Sequence, residues 1–177
     1  MRDPKEIVER GYDRVAERYL EWSDLRPSAA RLWFLDEALA RIADGTDVLD
    51  LDCGAGIPMT RALAAGRRMT GIDISARQIE LARTNVPDAT FIHGDFTTMH
   101  LASGSADAVT AFYAFVHVPQ AEQQRVLNRI ADWLRPGGVL LAQFGSGDAP
   151  DEVEDGWLVE DPGEVVRFHH VAARRPA

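Results

Sequence analysis

Val8, Tyr12, Val15 and Tyr19 recur at offsets of four, seven and eleven within residues 4–20, with charged residues between them, a period that predicts an amphipathic helix. A second helical stretch, about 28–43, follows Pro27 and carries Leu32, Leu35, Leu39 and Ile42 before Asp44-Gly45 ends it in a turn. From Val48 the pattern changes to short apolar runs bounded by Gly and Asp, alternating with helix-period stretches. Strands are expected at 47–52, 69–74, 90–93, 107–113 and 138–144, and helices near 58–65, 75–85 and 120–135. Val126, Leu127, Ile130, Trp133 and Leu134 form the apolar face of the last helix, and Arg135-Pro136-Gly137-Gly138 is expected to stop it.

Strand–helix alternation predicts an α/β architecture with a mostly parallel, doubly wound sheet. The strand runs Val48-Leu49-Asp50-Leu51 and Val139-Leu140-Leu141-Ala142-Gln143-Phe144 are mostly apolar rather than strictly alternating, as expected of a sheet covered by helices on both faces. Beyond the fifth strand, residues 145–156 read as an exposed acidic loop, and the apolar pieces 157–160 and 165–172 as a closing hairpin that ends in an antiparallel strand. The chain thus divides into an N-terminal helical lid (1–44), a core (45–145) and an acidic loop with a short closing hairpin (146–177).

Composition narrows the classes of function. The 177 residues, 46% hydrophobic and 27% charged, suit one domain. Asp and Glu number 28 against 19 Lys and Arg, a formal charge of −9 that repels phosphate backbones, so no nucleic-acid partner is expected. The single cysteine, Cys53, cannot form an internal disulfide. Neither a signal-peptide pattern nor a membrane-length apolar run is visible, so a cytoplasmic protein without a membrane partner is expected.

The sharpest local signal is Val48-Leu49-Asp50-Leu51-Asp52-Cys53-Gly54-Ala55-Gly56-Ile57-Pro58, a strand running into a Gly-x-Gly turn and a helix. Backbone N–H groups there can face a ligand lying across the strand's carboxyl end. A dinucleotide fingerprint would want a small residue where Met59 stands, which disfavours NAD. Asp73, at the tip of the second strand, can accept hydrogen bonds from both hydroxyls of a ribose. At the end of the third strand, in His93-Gly94-Asp95-Phe96, Asp95 can accept from an adenine amino group and Phe96 can flank the ring. The alternative for Asp73 and Asp95 is helix capping, and for Tyr12 and Tyr19 it is core packing rather than a lid over a ligand.

These motifs, in this order, resemble the class I S-adenosylmethionine-dependent methyltransferases, particularly bacterial small-molecule enzymes of the broad methyltransferase-domain family. The likeness runs over about residues 7–145 and includes Tyr12, Asp13, Ala16 and Tyr19, the Asp50–Gly56 loop, Gly71-Ile72-Asp73-Ile74-Ser75, Gly94-Asp95-Phe96, Ala106-Asp107-Ala108-Val109 and Trp133-Leu134-Arg135-Pro136-Gly137-Gly138. It implies a Rossmann-like sheet, S-adenosyl-L-methionine as cofactor and S-adenosyl-L-homocysteine as product. It further implies in-line methyl transfer to a small-molecule acceptor without a metal.

By the same resemblance the glycine loop with Asp50, Asp52, Gly54 and Gly56 holds the methionine part, Asp73 the ribose and Asp95 the adenine. Tyr19, Ile74, Gln78 and Phe96 complete the implied cofactor set, with Tyr113 and His117 beside the reacting centre and His117 as candidate base. Two departures stand out. The family usually has glycine where this chain has Asp52, whose carboxylate can pair with the cofactor's ammonium or crowd its carboxylate. The segment after Gly145 is short, which opens the acceptor side and a sheet edge that a homodimer can cover. The alternative function is a partner or regulatory domain that binds cofactor with impaired turnover.

Overall fold

The computed structural model describes residues 4–25, 29–145 and 168–176. Two helices, α1 (Pro4–Leu25) and α2 (Ala29–Arg41), precede an alternating series of β1 (Asp47–Leu51), α3 (Met59–Ala64), β2 (Arg68–Asp73), α4 (Ala76–Asn85), β3 (Thr90–His93) and β4 (Ala106–Ala111). A single 3-10 turn, Phe115–His117, then leads into α5 (Gln120–Trp133), β5 (Leu134–Gly145) and β6 (Phe168–Arg174). The six strands lie in the order β3-β2-β1-β4-β5-β6, the first five parallel and β6 antiparallel to β5. Among the described residues no helix is long and apolar enough to cross a membrane.

The apolar strand runs are explained by what covers each face. Val48, Met69, Ala108, Val139 and Leu141 pack with Phe34, Ala38 and Ile42 of α2 and Met59 and Leu63 of α3. Their neighbours Leu49, Val109, Leu140 and Ala142 point the other way, against Val126, Ile130 and Trp133 of α5. Neither face is left to solvent, so alternation between apolar and polar positions disappears.

Four details differ from the sequence expectation. Helix α1 runs five residues further than its apolar stripe, to Leu25. Strand β4 ends at Ala111, so Phe112 and Tyr113 leave the sheet, Tyr113 with φ 61°. The Arg135–Gly138 stop is absorbed into an irregular start of β5: Leu134 pairs with Ala106, the register shifts, and Val139 pairs with Ala108. Pro136 disfavours a helical Arg135, and a Cβ on Gly138 would lie 2.8 Å from the Arg135 carbonyl oxygen, which is why glycine stands there. The closing strand is β6, whose partner is β5 itself; the expected acidic loop and the piece 157–160 lie outside the described residues.

Because β1 has β2 on one side and β4 on the other, the chain's crossovers run in opposite directions from β1. A crevice opens at the carboxyl ends of these two strands, where ligands of open α/β sheets bind.

Candidate active site

A cleft at that switch point is floored by Asp50, Asp52 and Asp73, edged by the Cys53–Gly56 loop, and roofed by Tyr12, Tyr19 and Leu20 of α1. Asp50, buried on β1, accepts from the Thr60 hydroxyl at 2.5 Å and the Thr110 hydroxyl at 2.8 Å. Burial outweighs those bonds and pushes its carboxyl up to about 6. Asp73 ends β2 with Oδ2 accepting from the Gly54 amide and Oδ1 from the Ser75 amide, each at 2.8 Å. Burial lifts it to about 6 as well, against those two bonds. Each oxygen keeps a lone pair for a further donor.

Asp52 is half-buried and takes φ 60°, the left-handed region that glycine enters freely. Burial, and then the charge of Asp73, hold its carboxyl well above the usual carboxylate range. Gly56, at φ 76°, sits where α4 comes close: a Cβ there would meet Val86 Cγ2 at 3.1 Å and Ala82 Cβ at 3.4 Å. Gln78 lines the cleft from α4 at 2% exposure, and both atoms of its side-chain amide lack a hydrogen-bond partner among the described residues. A buried amide left so costs free energy until something satisfies it.

On the β4 side the cleft is aromatic. Phe112 and Tyr113 have ring centroids 4.2 Å apart, and the Arg31 guanidinium carbon lies 6.0 Å above the Phe112 ring. His117 Nε2 is joined to the Tyr12 hydroxyl by a 3.1 Å hydrogen bond. Burial pushes the imidazole down to about 4, so it is neutral at pH 7, and burial raises the Tyr12 phenol.

Residues 48–138, just over half of the chain, match the family model described as a methyltransferase domain. The chain belongs to the methyltransferase family. Its fold agrees: a putative methyltransferase from Haloferax volcanii, solved in complex with the Trm112 methyltransferase activator, matches with 30% identity and a TM-score of 0.64 over 77% of this chain and 60% of that one. An uncharacterized methyltransferase of Synechocystis is 31% identical over 56% of this chain and 47% of its own length. The trans-aconitate 2-methyltransferase of Afipia carboxidovorans is 31% identical over 93% of this chain and 63% of its own length. The chain spans about half the length of the curated methyltransferases at the head of these matches.

Within this methyltransferase domain the structure brings together Tyr19, Asp50, Asp52, Gly54, Asp73, Gln78, Tyr113 and His117 around one cleft. Gly56 stands in the same loop, and Ile74, half-buried after β2, lies outside the cleft lining. Asp95 and Phe96 are placed differently from the adenine-contact expectation. The Asp95 carboxylate accepts from Lys5 Nζ at 3.1 Å and from Thr97, and Phe96 is buried in the core on the α5 side. Burial alone would raise Asp95, but the bonds from Thr97 and Lys5 hold it below its ordinary value.

Tyr12, for which the sequence offered core packing or a lid, roofs the cleft, and Arg31, which escaped the sequence reading, lies on the α2 face that also carries Phe34 and Ala38. A cation three residues before Phe34, on an apolar stripe, was the available signal for Arg31.

Proposed function

We propose that this chain binds S-adenosylmethionine in the cleft and transfers its methyl group to a small-molecule acceptor entering from the β4 side. The observation that carries the reading is the pairing of an anchored, buried Asp73 carboxylate with the unpartnered Gln78 amide at the switch point of a methyltransferase domain. Asp73 would hold the ribose hydroxyls, the Cys53–Gly56 backbone and Asp50 the methionine end, and Gln78 a polar atom between them. When bound, the cofactor supplies an electrophilic methyl whose bond to sulfur breaks, its electron pair passing to sulfur, as the bond to the acceptor forms.

The chain's own part is alignment and exclusion of water. Tyr12 and Tyr19 cover the cleft, and Phe112 and Tyr113 wall the side from which an acceptor comes. His117, neutral and tied to Tyr12, takes a hydrogen bond or a proton from the acceptor. A base held near 4 removes protons weakly, which favours an acceptor atom that already presents a lone pair at neutral pH.

Titration calorimetry with S-adenosylmethionine and S-adenosylhomocysteine tests the reading, and saturable binding of either is expected. Absence of heat and of any thermal shift at millimolar ligand would sink it. A second reading, a cofactor-binding domain with impaired turnover, is favoured by the carboxylate of Asp52 in the glycine-like turn of the cleft. Binding with no S-adenosylhomocysteine formed across a panel of small acceptors would select it.

A further inference from the structure

The family's glycine position at the end of β1 is filled here by Asp52, and the backbone keeps the conformation glycine would take, φ 60°. Among the described residues Asp52 and Tyr113 are the two non-glycine residues with positive φ, and both line the cleft. Aspartate and asparagine tolerate this region better than other side chains, so the chain retains the turn and adds a carboxylate to it.

That carboxylate differs from its neighbours in what it touches. Asp50 is occupied by Thr60 and Thr110, and Asp73 by the Gly54 and Ser75 amides. Asp52 accepts no hydrogen bond from any described residue, so nothing in the floor offsets the burial and neighbouring carboxylates that disfavour its ionisation. A second observation points to a ligand at the same place. Gln78 Oε1 lies 3.9 Å from where a Cβ on Gly54 would stand, two residues beyond Asp52, and the whole Gln78 amide is buried without a partner. The floor is thus an anionic surface with an unmet polar group beside it.

We propose that Asp52 makes the cleft discriminate between the cofactor and its spent product by charge. The inference rests on the S-adenosylmethionine reading above. The two ligands share adenine, ribose, ammonium and carboxylate; they differ by a methyl group and by the positive charge of the sulfonium. Shape and hydrogen bonding therefore distinguish them little, whereas a carboxylate facing the methionine end favours the cationic one. Over about 12 Å at an effective dielectric of about 20, one such charge changes the affinity ratio about tenfold, and more at shorter range. Asp73 and Asp50 oppose ionisation of Asp52, so its charge is best tolerated when a cation shares the cleft, and departure of the uncharged thioether follows each transfer more readily.

The test is a binding ratio, independent of turnover. The purified chain and its Asp52→Gly and Asp52→Asn variants are titrated at pH 8 with S-adenosylmethionine, with S-adenosylhomocysteine, and with an analogue carrying an ammonium in place of the sulfonium. The wild type should favour both cationic ligands over the thioether, and each variant should shrink that preference about tenfold. Asp52→Gly suits the backbone and should fold with an unchanged or higher thermal midpoint, while Asp52→Asn keeps the side-chain size without the charge. An unchanged ratio in both variants, with all ligands binding, would overturn the role of Asp52 alone. A parallel tightening of all three ligands in Asp52→Gly would overturn it too, by showing that the side chain only crowds the site. No binding of any ligand to the wild type would instead remove the cofactor reading beneath it.

Discussion

At the ends of β1 and β2 the cleft is made of carboxylates fixed by backbone amides and hydroxyls, whereas beyond the end of β4 it is made of rings and one imidazole. Asp50 and Asp73 each take two hydrogen bonds at 2.5–2.8 Å, so their free lone pairs point in set directions. Phe112, Tyr113 and His117 offer surfaces instead, and the buried Gln143 amide of β5 has no partner among the described residues. The difference teaches how one fold serves many acceptors. A side that reads functional groups by direction keeps its ligand, and a side that reads shape is free to change with the acceptor.

The two sides should also answer acid in opposite senses, the largest effect expected. Asp50 has its folded pKa raised to about 6 from an ordinary 3.8, so its folded form binds protons more tightly and its contribution to stability grows as pH falls from above 6 toward 4. His117 is lowered to about 4 from 6.5, so its contribution is lost as pH falls through that window. Each shift corresponds to about 3 kcal/mol at 1.36 kcal/mol per unit, and because Asp73 is raised to about 6 as well, the imidazole cancels only part of what the carboxyls gain toward acid. His117→Gln should therefore gain more stability than the wild type between pH 7 and 4.5, measured as thermal midpoints at both pH values. Parallel curves for the two proteins would break the contrast.

Next in size, Asp73→Ala should weaken S-adenosylmethionine binding by about 1–3 kcal/mol, the cost of losing charged hydrogen-bond acceptors, and lower the thermal midpoint by releasing the Gly54 and Ser75 amides. Unchanged affinity in calorimetry would show that the directional side does not hold the ligand.

Smallest is Lys5→Ala. The Lys5 ammonium reaches Asp95 at 3.1 Å and Glu122 at 3.2 Å with its side chain 18% exposed, and pairs of this kind contribute under about 1 kcal/mol. A denaturant midpoint change equivalent to more than about 2 kcal/mol would make the cluster a main anchor of α1.

The directional side was also the more legible in sequence. Asp50, Asp73 and the glycine turn stand where apolar runs stop, and a strand that stops beside a glycine can end only at the crevice. Strand β3 has the bounds its apolar run predicted, because Thr90 and His93 flank a two-residue apolar core. What stayed hidden depends on long-range placement. Lys5 meets Asp95 across 90 positions of sequence, and Tyr12 meets His117 across 105. A helical stripe says that one face is covered, not by what, so core packing was the safer reading of Tyr12 and a lid the sharper one. The irregular start of β5 was hidden because Pro-Gly-Gly signals a stop whether or not a neighbouring strand pairs with it.

Helix α1 crosses the mouth of the cleft and is fastened at several points along its length: Lys5 to Asp95 and Glu122, Asp13 to the Ser75 hydroxyl at 2.6 Å, Glu17 to Arg77, and Tyr12 to His117. Most of these ties are part-buried, Glu17–Arg77 being the exposed one, and all must be absent together for a molecule as long as the cleft to pass. We propose that a ligand entering beneath α1 would wait on the helix swinging clear, so that its residence would depend on how often that door opens as well as on its own grip.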